Sequence, residues 1–319
     1  MNILCIIVTY GNRFRYLKKV VERVLKEKIK DILIISNGSH EISTKLILDL
    51  KKKNKNIKLI ILNKNYGSAL AVKKGLIYAK KINSKFILLL DDDNLPVQGF
   101  KKVLIKKYKQ YGNSYKNIFS PNRYKLAYYK NLKFKNNSFF FLKNNFIKFN
   151  FLSIVIYFIK KIFIKKKKLK NNILMQVAPY GGLFFNKDVL KHVGYPKISF
   201  FSYADDFDFT LRMTQNSFNI YYLKEYLIRD LELTLDEVSY FSEKVDEKKI
   251  FLQLRNHTYF SRNFITNKII YYCNMYIFLF YFILKNFCIT NNKKFFFKRL
   301  YLILKAVRSG NRKRLVSYY

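Results

Sequence analysis

At 319 residues the chain has length for one large α/β domain or two modest ones, and a composition half hydrophobic excludes a disordered chain. The 62 Lys and Arg against 20 Asp and Glu leave a net charge of +42, which asks for an anionic counterpart: nucleic acid, acidic lipid or a phosphorylated substrate. The same excess also follows from a composition rich in Lys, Asn, Ile, Phe and Tyr, so charge alone selects none of the three.

The chain opens on Met1-Asn2-Ile3-Leu4-Cys5-Ile6-Ile7-Val8-Thr9, which has no basic leader region and turns polar too early for a signal peptide. It reads as a strand of a protein that folds in the cytoplasm, and its apolar run Ile3 to Val8 is the signature of burial on both faces. Residues 13–28 set Phe14, Leu17, Val20, Val21, Val24 and Leu25 at helical spacing. Ile32 to Ile35 is a second strand, closed by the turn cluster Ser36-Asn37-Gly38-Ser39. A helix over 42–53, a strand over 57–62, the turn Asn65-Tyr66-Gly67, a helix over 68–82 and a strand Phe86 to Leu90 follow. This alternation predicts βαβ units and a mostly parallel, Rossmann-like sheet flanked by helices. Ligands of such sheets bind beyond the carboxyl ends of the strands, where Thr9-Tyr10-Gly11, Asn37-Gly38-Ser39 and Asp91-Asp92-Asp93 all fall.

Three adjacent carboxylates at a buried strand end repel one another unless a cation sits among them. Alternation along an extended backbone lets Asp91 and Asp93 converge while Asp92 turns away, an oxygen donor set suited to Mg²⁺ or Mn²⁺. The competing reading is a solvated loop or a helix cap, since Asn94-Leu95-Pro96 is expected to begin a helix. From about 113 to 172 the order gives way to Asn, Lys, Phe and Tyr. Within it the apolar run 151–164 is followed by Lys165 to Lys168, and a second apolar run covers 269–284. Both fall short of the ~20 residues of a membrane span. An interfacial helix on anionic lipid suits them, and a core helix suits 269–284 equally.

The second acidic cluster is Tyr203-Ala204-Asp205-Asp206-Phe207-Asp208, opening a helix over 205–214. Helix capping with an Asp208–Arg212 pair accounts for some of these carboxylates, and a general base accounts for another. Upstream, Pro179-Tyr180-Gly181-Gly182 lets backbone approach a ligand closely. Cys5, Cys273 and Cys288 lie far apart in apolar runs and are expected as buried thiols in a reducing compartment. His257 reads as a structural residue of a helix, and His40 and His192 as surface or helix positions.

Six segments occur in an order and spacing that resemble family 2 inverting glycosyltransferases of the GT-A fold: Ile7 to Arg13, Ser36 to Ser39, Asn63 to Gly67, Asp91 to Asp93, Gly181 to Phe185, and Tyr203 to Asp208. The tail, with Leu254-Arg255-Asn256-His257-Thr258-Tyr259, resembles the rhamnosyl- and galactofuranosyltransferase-like members that build bacterial surface polysaccharides. The resemblance implies a nucleotide-diphosphate sugar donor held by Thr9, Tyr10, Asn37, Asn65, Gly67, Ser68 and Asp92. It implies a metal on Asp91 and Asp93, a catalytic base at Asp206 with Asp205 beside it, and Gly181 and Gly182 on the acceptor side. Where galactofuranosyltransferase-like relatives complete the metal site with a histidine, this chain has Asp230, a departure that leaves the third ligand open.

The expected organisation is a domain over 1–225 with a basic aromatic insertion at about 125–172, then a helical, membrane-associating or acceptor-binding extension over 226–319. The expected acceptor is a glycan, lipid-linked, met at the inner face of the cell membrane by a peripheral enzyme on an anionic surface. A basic nucleic-acid-binding protein fits the charge but leaves the acidic strand ends unexplained, so nucleic acid is not an expected partner. A processive synthase would carry several membrane spans and a Trp-terminated motif, and this sequence has no Trp.

Overall fold

The computed structural model describes residues 1–123, 133–135, 138–140, 143–147, 149–152, 154, 173–232, 240–243, 245–312 and 315. The chain divides into two compact units, Met1–Leu126 with Asn172–Leu233, and Ala127–Asn171 with Thr234–Tyr319. Strand β11 therefore carries the first unit on past residue 225, and residues 127–171 group with the C-terminal third. The basic run Lys165 to Lys168 and most of 151–164 lie outside the described residues.

The first unit begins with β1 (Ile3–Gly11), α1 (Phe14–Lys26), β2 (Asp31–Ser39), α2 (Glu41–Lys53), β3 (Ile57–Leu62), α3 (Gly67–Lys81) and β4 (Phe86–Asp91). It continues with β5 (Asn94–Pro96), α4 (Phe100–Gln110) and β6 (Asn117–Arg123). The second unit contributes β7 (Lys133–Lys135) and β8 (Ser138–Phe140), an antiparallel pair. The chain then returns to the first unit for β9 (Ile173–Met175), β10 (Phe184–Asn186), α5 (Val189–Val193), α6 (Asp205–Gln215) and β11 (Asn219–Asp230).

Sheet order in the first unit is β3-β2-β1-β4-β10-β6-β11-β9. The run β3-β2-β1-β4 is parallel, because each crossover is a helix that must return the chain to the same edge. Beyond β4 the directions mix: β10 is antiparallel to β4 and β6, and β11 is parallel to β6. Ile3, Cys5 and Ile7 of β1 pack with Leu17, Val20, Val21 and Val24 of α1 in the main core. On the other face α3 approaches closely at Gly75, where a Cβ would lie 2.6 Å from Ile6 Cγ2. Burial on both faces is why these strands read as unbroken apolar runs.

Two local expectations are corrected. Asn94-Leu95-Pro96 forms strand β5 against β11, with Asp230 opposite Asn94, and helix α4 starts at Phe100 behind Gly99 at φ +79°. Pro96 sits at the end of a three-residue edge segment, where the ladder does not need its missing N–H. The thiols also differ from expectation: Cys5 is buried, but Cys273 and Cys288 are exposed.

The second unit also holds α7 (Glu247–Ser261), α8 (Lys268–Ile289) and α9 (Lys293–Asn311). Helix α9 packs on α7 at Gly310, where a Cβ would meet Thr258 Cβ at 2.7 Å. Helix α8 is longer than the apolar run 269–284: it has 22 residues, and over Lys268–Cys288 it is long and apolar enough to cross a membrane by length and composition. Tyr271, Met275 and Leu279 on one side of it join Phe146 and Val307 in a small core.

Candidate active site

Strand β4 ends at the acidic triplet, and its three carboxylates have different surroundings. Asp92 is buried, accepting 2.7 Å from the Thr9 hydroxyl and 2.8 and 3.0 Å from Arg13 Nε. Arg13 also pairs through Nη2 with Asp92 at 2.8 Å and Asp93 at 3.2 Å, and through Nη1 with Glu232. Its guanidinium lies 5.1 Å from the centre of the Tyr10 ring, which is partly exposed at the end of β1. Thr9, Arg13 and Asp92 thus form a buried ionic clamp under the edge. The resemblance gave Thr9 and Asp92 to the donor; here their polar atoms are committed to each other and to Arg13.

Asp91 stands apart. Asn94 Oδ1 accepts from its backbone N–H at 3.0 Å, while its carboxylate has no hydrogen-bond or ion-pair partner among the described residues. Burial raises its pKa, opposed by Arg123 and Arg13 and reinforced by Asp230. Burial and the neighbouring Asp91 together push Asp93 up to about 6. Such a pair of crowded oxygens is stabilised by a cation, and small divalent ions commonly use one or two carboxylates and fill the remaining positions with water and substrate phosphate. Asp91 and Asp93 fit that role.

Asp230 does not fit beside them as a third ligand. Its carboxylate accepts from Arg123 Nη2 at 2.5 Å, Arg123 Nε at 3.1 Å and Asn94 Nδ2 at 3.0 Å. The β5–β11 pairing brings it to the triplet, but as the counter-ion of Arg123. Among the described residues no group of three or more His, Cys, Asp or Glu side chains is disposed to hold a metal ion.

The amide-rich turn after β3 is shaped from within. Asn37 Nδ2 donates to Asn65 Oδ1 and to the Gly67 carbonyl, each at 3.1 Å, and Asn37 Oδ1 accepts from Tyr66 N at 2.9 Å. Gly67 has φ +83°, and a Cβ there would run into the backbone of Phe201. Asn37 and Asn65, assigned to the donor by resemblance, therefore hold the loop that carries Gly67 and Ser68.

Ser68 ties this loop to the second acidic cluster: its hydroxyl donates to Asp205 Oδ2 at 3.0 Å, and its N–H donates to Ser202 Oγ at 3.1 Å. The segment leading into α6 is strained, with Phe201, Tyr203 and Ala204 at φ +65°, +67° and +58°. Backbone of this kind concentrates at functional sites, where surrounding structure enforces it. It sets Asp205 and Asp206 in the first turn of α6, facing the triplet. Burial raises both; Asp205 also feels Asp206 and stands well above the carboxylate range, and Asp206 is pushed up to about 7, in part by Asp91. Asp208 is the structural member, paired with Lys197 at 2.8 Å and with Arg212 at 3.0 Å.

Gly181 is held close to the same edge, since a Cβ there would lie 2.5 Å from Arg123 Nη1 and would crowd Asn94 Oδ1. Gly182, at φ +90°, would meet Pro121 Cγ at 2.5 Å. Tyr180 is buried with its hydroxyl unpartnered, within the field of Asp205 and Asp206. Arg13, Arg123, Asn94 and Tyr180 are site members to which the sequence reading gave no role.

A parallel half-sheet that gathers two carboxylate clusters and glycine-bearing turns at one edge defines an α/β protein of the GT-A class. The family model for glycosyl transferase family 2 matches residues 5–194. The chain belongs to that family. GalNAc-T7, solved with UDP, GalNAc and Mn²⁺, is similar at 11% identity and TM-score 0.55, over 81% of this chain and 47% of its own. The mannosyltransferase PcManGT from Pyrobaculum calidifontis, solved with GDP-Man and Mn²⁺, is similar at 9% identity and TM-score 0.53, over 98% of this chain and 73% of its own. S. aureus TarS matches at 15% identity and TM-score 0.48, over 82% of this chain. The chain spans less than half the length of TarS and GalNAc-T7, at 44% and 47%. No curated protein matches at a significant level. At these identities GalNAc-T7 and PcManGT speak for the fold alone.

Proposed function

We propose that the protein is an inverting glycosyltransferase that moves a sugar from a nucleotide-diphosphate donor to a glycan acceptor. The observation that carries this reading is the edge itself, where the Asp91 carboxylate is unpartnered among the described residues and within electrostatic reach of the Asp205–Asp206 pair. A donor half and a base half are thereby brought together from segments more than a hundred residues apart.

In the proposed step an acceptor hydroxyl attacks the anomeric carbon of the donor. Asp206 takes the hydroxyl proton, the new glycosidic C–O bond forms, and the bond to the diphosphate breaks on the opposite face, which inverts the configuration. A base pushed up to about 7 is matched to a proton transfer near neutrality. Ser68 positions Asp205 beside it, and Arg123, whose charge is felt at Asp91, Asp93 and Asp206, favours negative charge at the edge. Asp91 and Asp93 would hold Mg²⁺ or Mn²⁺, which would supply positive charge to the leaving diphosphate. Mn²⁺ in the structures of GalNAc-T7 and PcManGT supports this role, and their bound donor or donor fragments support a nucleotide sugar here. Tyr10, the exposed ring at the end of β1, offers a face to the nucleotide base, and Gly181 and Gly182 line the acceptor side.

The finer reading has galactose, galactofuranose or rhamnose as the transferred sugar and a lipid-linked glycan of surface polysaccharide synthesis as acceptor, at the cytoplasmic face of the membrane. Its support is the resemblance of the tail and the basic, aromatic composition of the C-terminal third. The test is a donor screen with Mg²⁺ or Mn²⁺, followed by Asp206→Asn with the productive donor. Turnover should fall at least about 10²-fold with donor binding retained. Near-normal turnover in Asp206→Asn overturns the base assignment, and failure of every nucleotide sugar to react overturns the transfer.

A further inference from the structure

Helix α8 has two unlike sides. Tyr271, Met275 and Leu279 face the core of their unit, and Asn274 between them is held at both ends of its amide. Its Nδ2 donates to the Asn144 carbonyl at 2.9 Å, and its Oδ1 accepts from Phe151 N at 2.9 Å. The opposite side presents Tyr272, Tyr276, Phe280, Leu284 and Phe287 outward, with Tyr276 64% and Phe280 67% exposed. Helix α9 adds Phe297, Tyr301 and Leu304, with Tyr301 70% exposed. Apolar stripes of this length are not left in water without a partner.

The charge on the same segment selects that partner. From Lys248 to Tyr319 the sequence contains no Asp or Glu, and Lys285, Lys294, Lys305 and Arg308 are exposed on these helices. A second copy would set cation against cation. Nucleic acid would match the charge but give Phe280 and Leu284 no apolar phase. An anionic bilayer satisfies both, taking rings into the acyl boundary and ammonium groups among the headgroups.

We infer that α8 and α9 dock flat on an anionic lipid surface, α8 sinking its outward stripe into the interface while Asn274 keeps its inward side on the protein. Although α8 has the length and apolarity of a span, spanning would pull Asn274 from both partners and strand a buried amide in hydrocarbon. This deepens the proposed membrane placement by naming the surface, its orientation and the lipid charge, and its assays use no sugar transfer, so either reading can fail alone.

The test uses the full chain and vesicles of phosphatidylcholine with or without phosphatidylglycerol. Flotation with the anionic vesicles, lost at high salt, is the expected result, and Tyr276→Ser with Phe280→Ser should lower the partition constant at least about tenfold at unchanged far-UV circular dichroism. Because the sequence has no Trp, single reporters at Tyr272→Trp, Phe280→Trp and Phe287→Trp can each be read by brominated-lipid quenching. Equal shallow depths, about 5–10 Å below the headgroups, are expected. A graded series with Phe280→Trp at the bilayer centre means a span and overturns the flat docking. Equal flotation with neutral vesicles overturns the choice of anionic lipid. A dimer that dissociates in the serine variant, with vesicle binding unchanged, assigns the face to a second copy and sinks the inference.

Discussion

Arg13→Ala removes the guanidinium that faces Asp92 and strands a carboxylate that is 2% exposed. Breaking a buried pair by deleting one partner costs about 3–5 kcal/mol. Two features of this clamp hold the loss below that range near neutrality. Thr9 Oγ1 still donates to Asp92 at 2.7 Å, worth about 1 kcal/mol. Asp92 also stands at about 7 with the arginine present, so the orphaned group escapes by taking a proton. If loss of Arg13 lifts that value by about two further units, the charged form loses about 3 kcal/mol, a cost met in full only well above neutrality and cut to about 0.4 kcal/mol at pH 7, where the orphaned group is protonated. The sign follows from linkage: the folded pKa lies above the unfolded one, so the folded state holds its proton more tightly. The penalty for losing the arginine is then full above the raised pKa of the variant and is relieved as pH falls through it toward neutrality. Urea unfolding of Arg13→Ala followed by far-UV circular dichroism should show a loss of about 2.5 kcal/mol at pH 9.5 that shrinks to about 0.4 kcal/mol at pH 7. Asp92→Asn added to Arg13→Ala should restore most of it, because the charge to be compensated is gone. A loss below about 0.5 kcal/mol at pH 9.5, or one that grows on acidification, would refute the clamp.

Three further outcomes follow from the site. The log of kcat/KM should rise with slope one as pH increases through about 7 and then level, since Asp206 acts as a base only when deprotonated; a flat profile from pH 5 to 8 would remove Asp206 from that role. Asp206→Asn should abolish this limb together with at least about 10²-fold of turnover, measured with saturating donor. Gly67→Ala places a β-carbon against the Phe201 backbone at a positive φ, so it should displace Ser68 and raise the donor KM at least about tenfold, read by initial rates; an unchanged KM would show that the turn does not touch the donor.

The runs Ile3 to Val8 and Phe86 to Leu90 could be read as strands because burial on both faces leaves no polar alternation, and the triplet at the end of the second run marks the working edge. Asn94-Leu95-Pro96 could not be read correctly from its neighbours: Asn and Pro also open helices, and the decision belongs to β11, more than 120 residues away. Separations of 79 and 107 residues likewise hide the clamp and the Arg123–Asp230 pair, since Arg13 and Arg123 are two of 62 basic residues and only tertiary proximity singles them out. What local signal there was for Arg13 is its position directly after β1, on the ligand-binding edge. The positive φ angles at Phe201, Tyr203 and Ala204 leave no trace in a sequence that puts no glycine there. In α8, Asn274 interrupts an apolar run when read along the chain, whereas in three dimensions it fixes which side of the helix turns inward.

The distribution of thiols gives this protein a built-in chemical handle. Burial raises the Cys5 thiol far above its ordinary pKa and seals it inside β1, so alkylating reagents do not reach it while the fold is intact. Cys273 and Cys288 are exposed, and both lie on α8. A maleimide fluorophore or nitroxide added to the unaltered chain will therefore label that one helix at two sites fifteen residues apart, one near each end. The unmodified protein can report on its own lipid contact, and unfolding can be timed by the appearance of a third reactive sulfur.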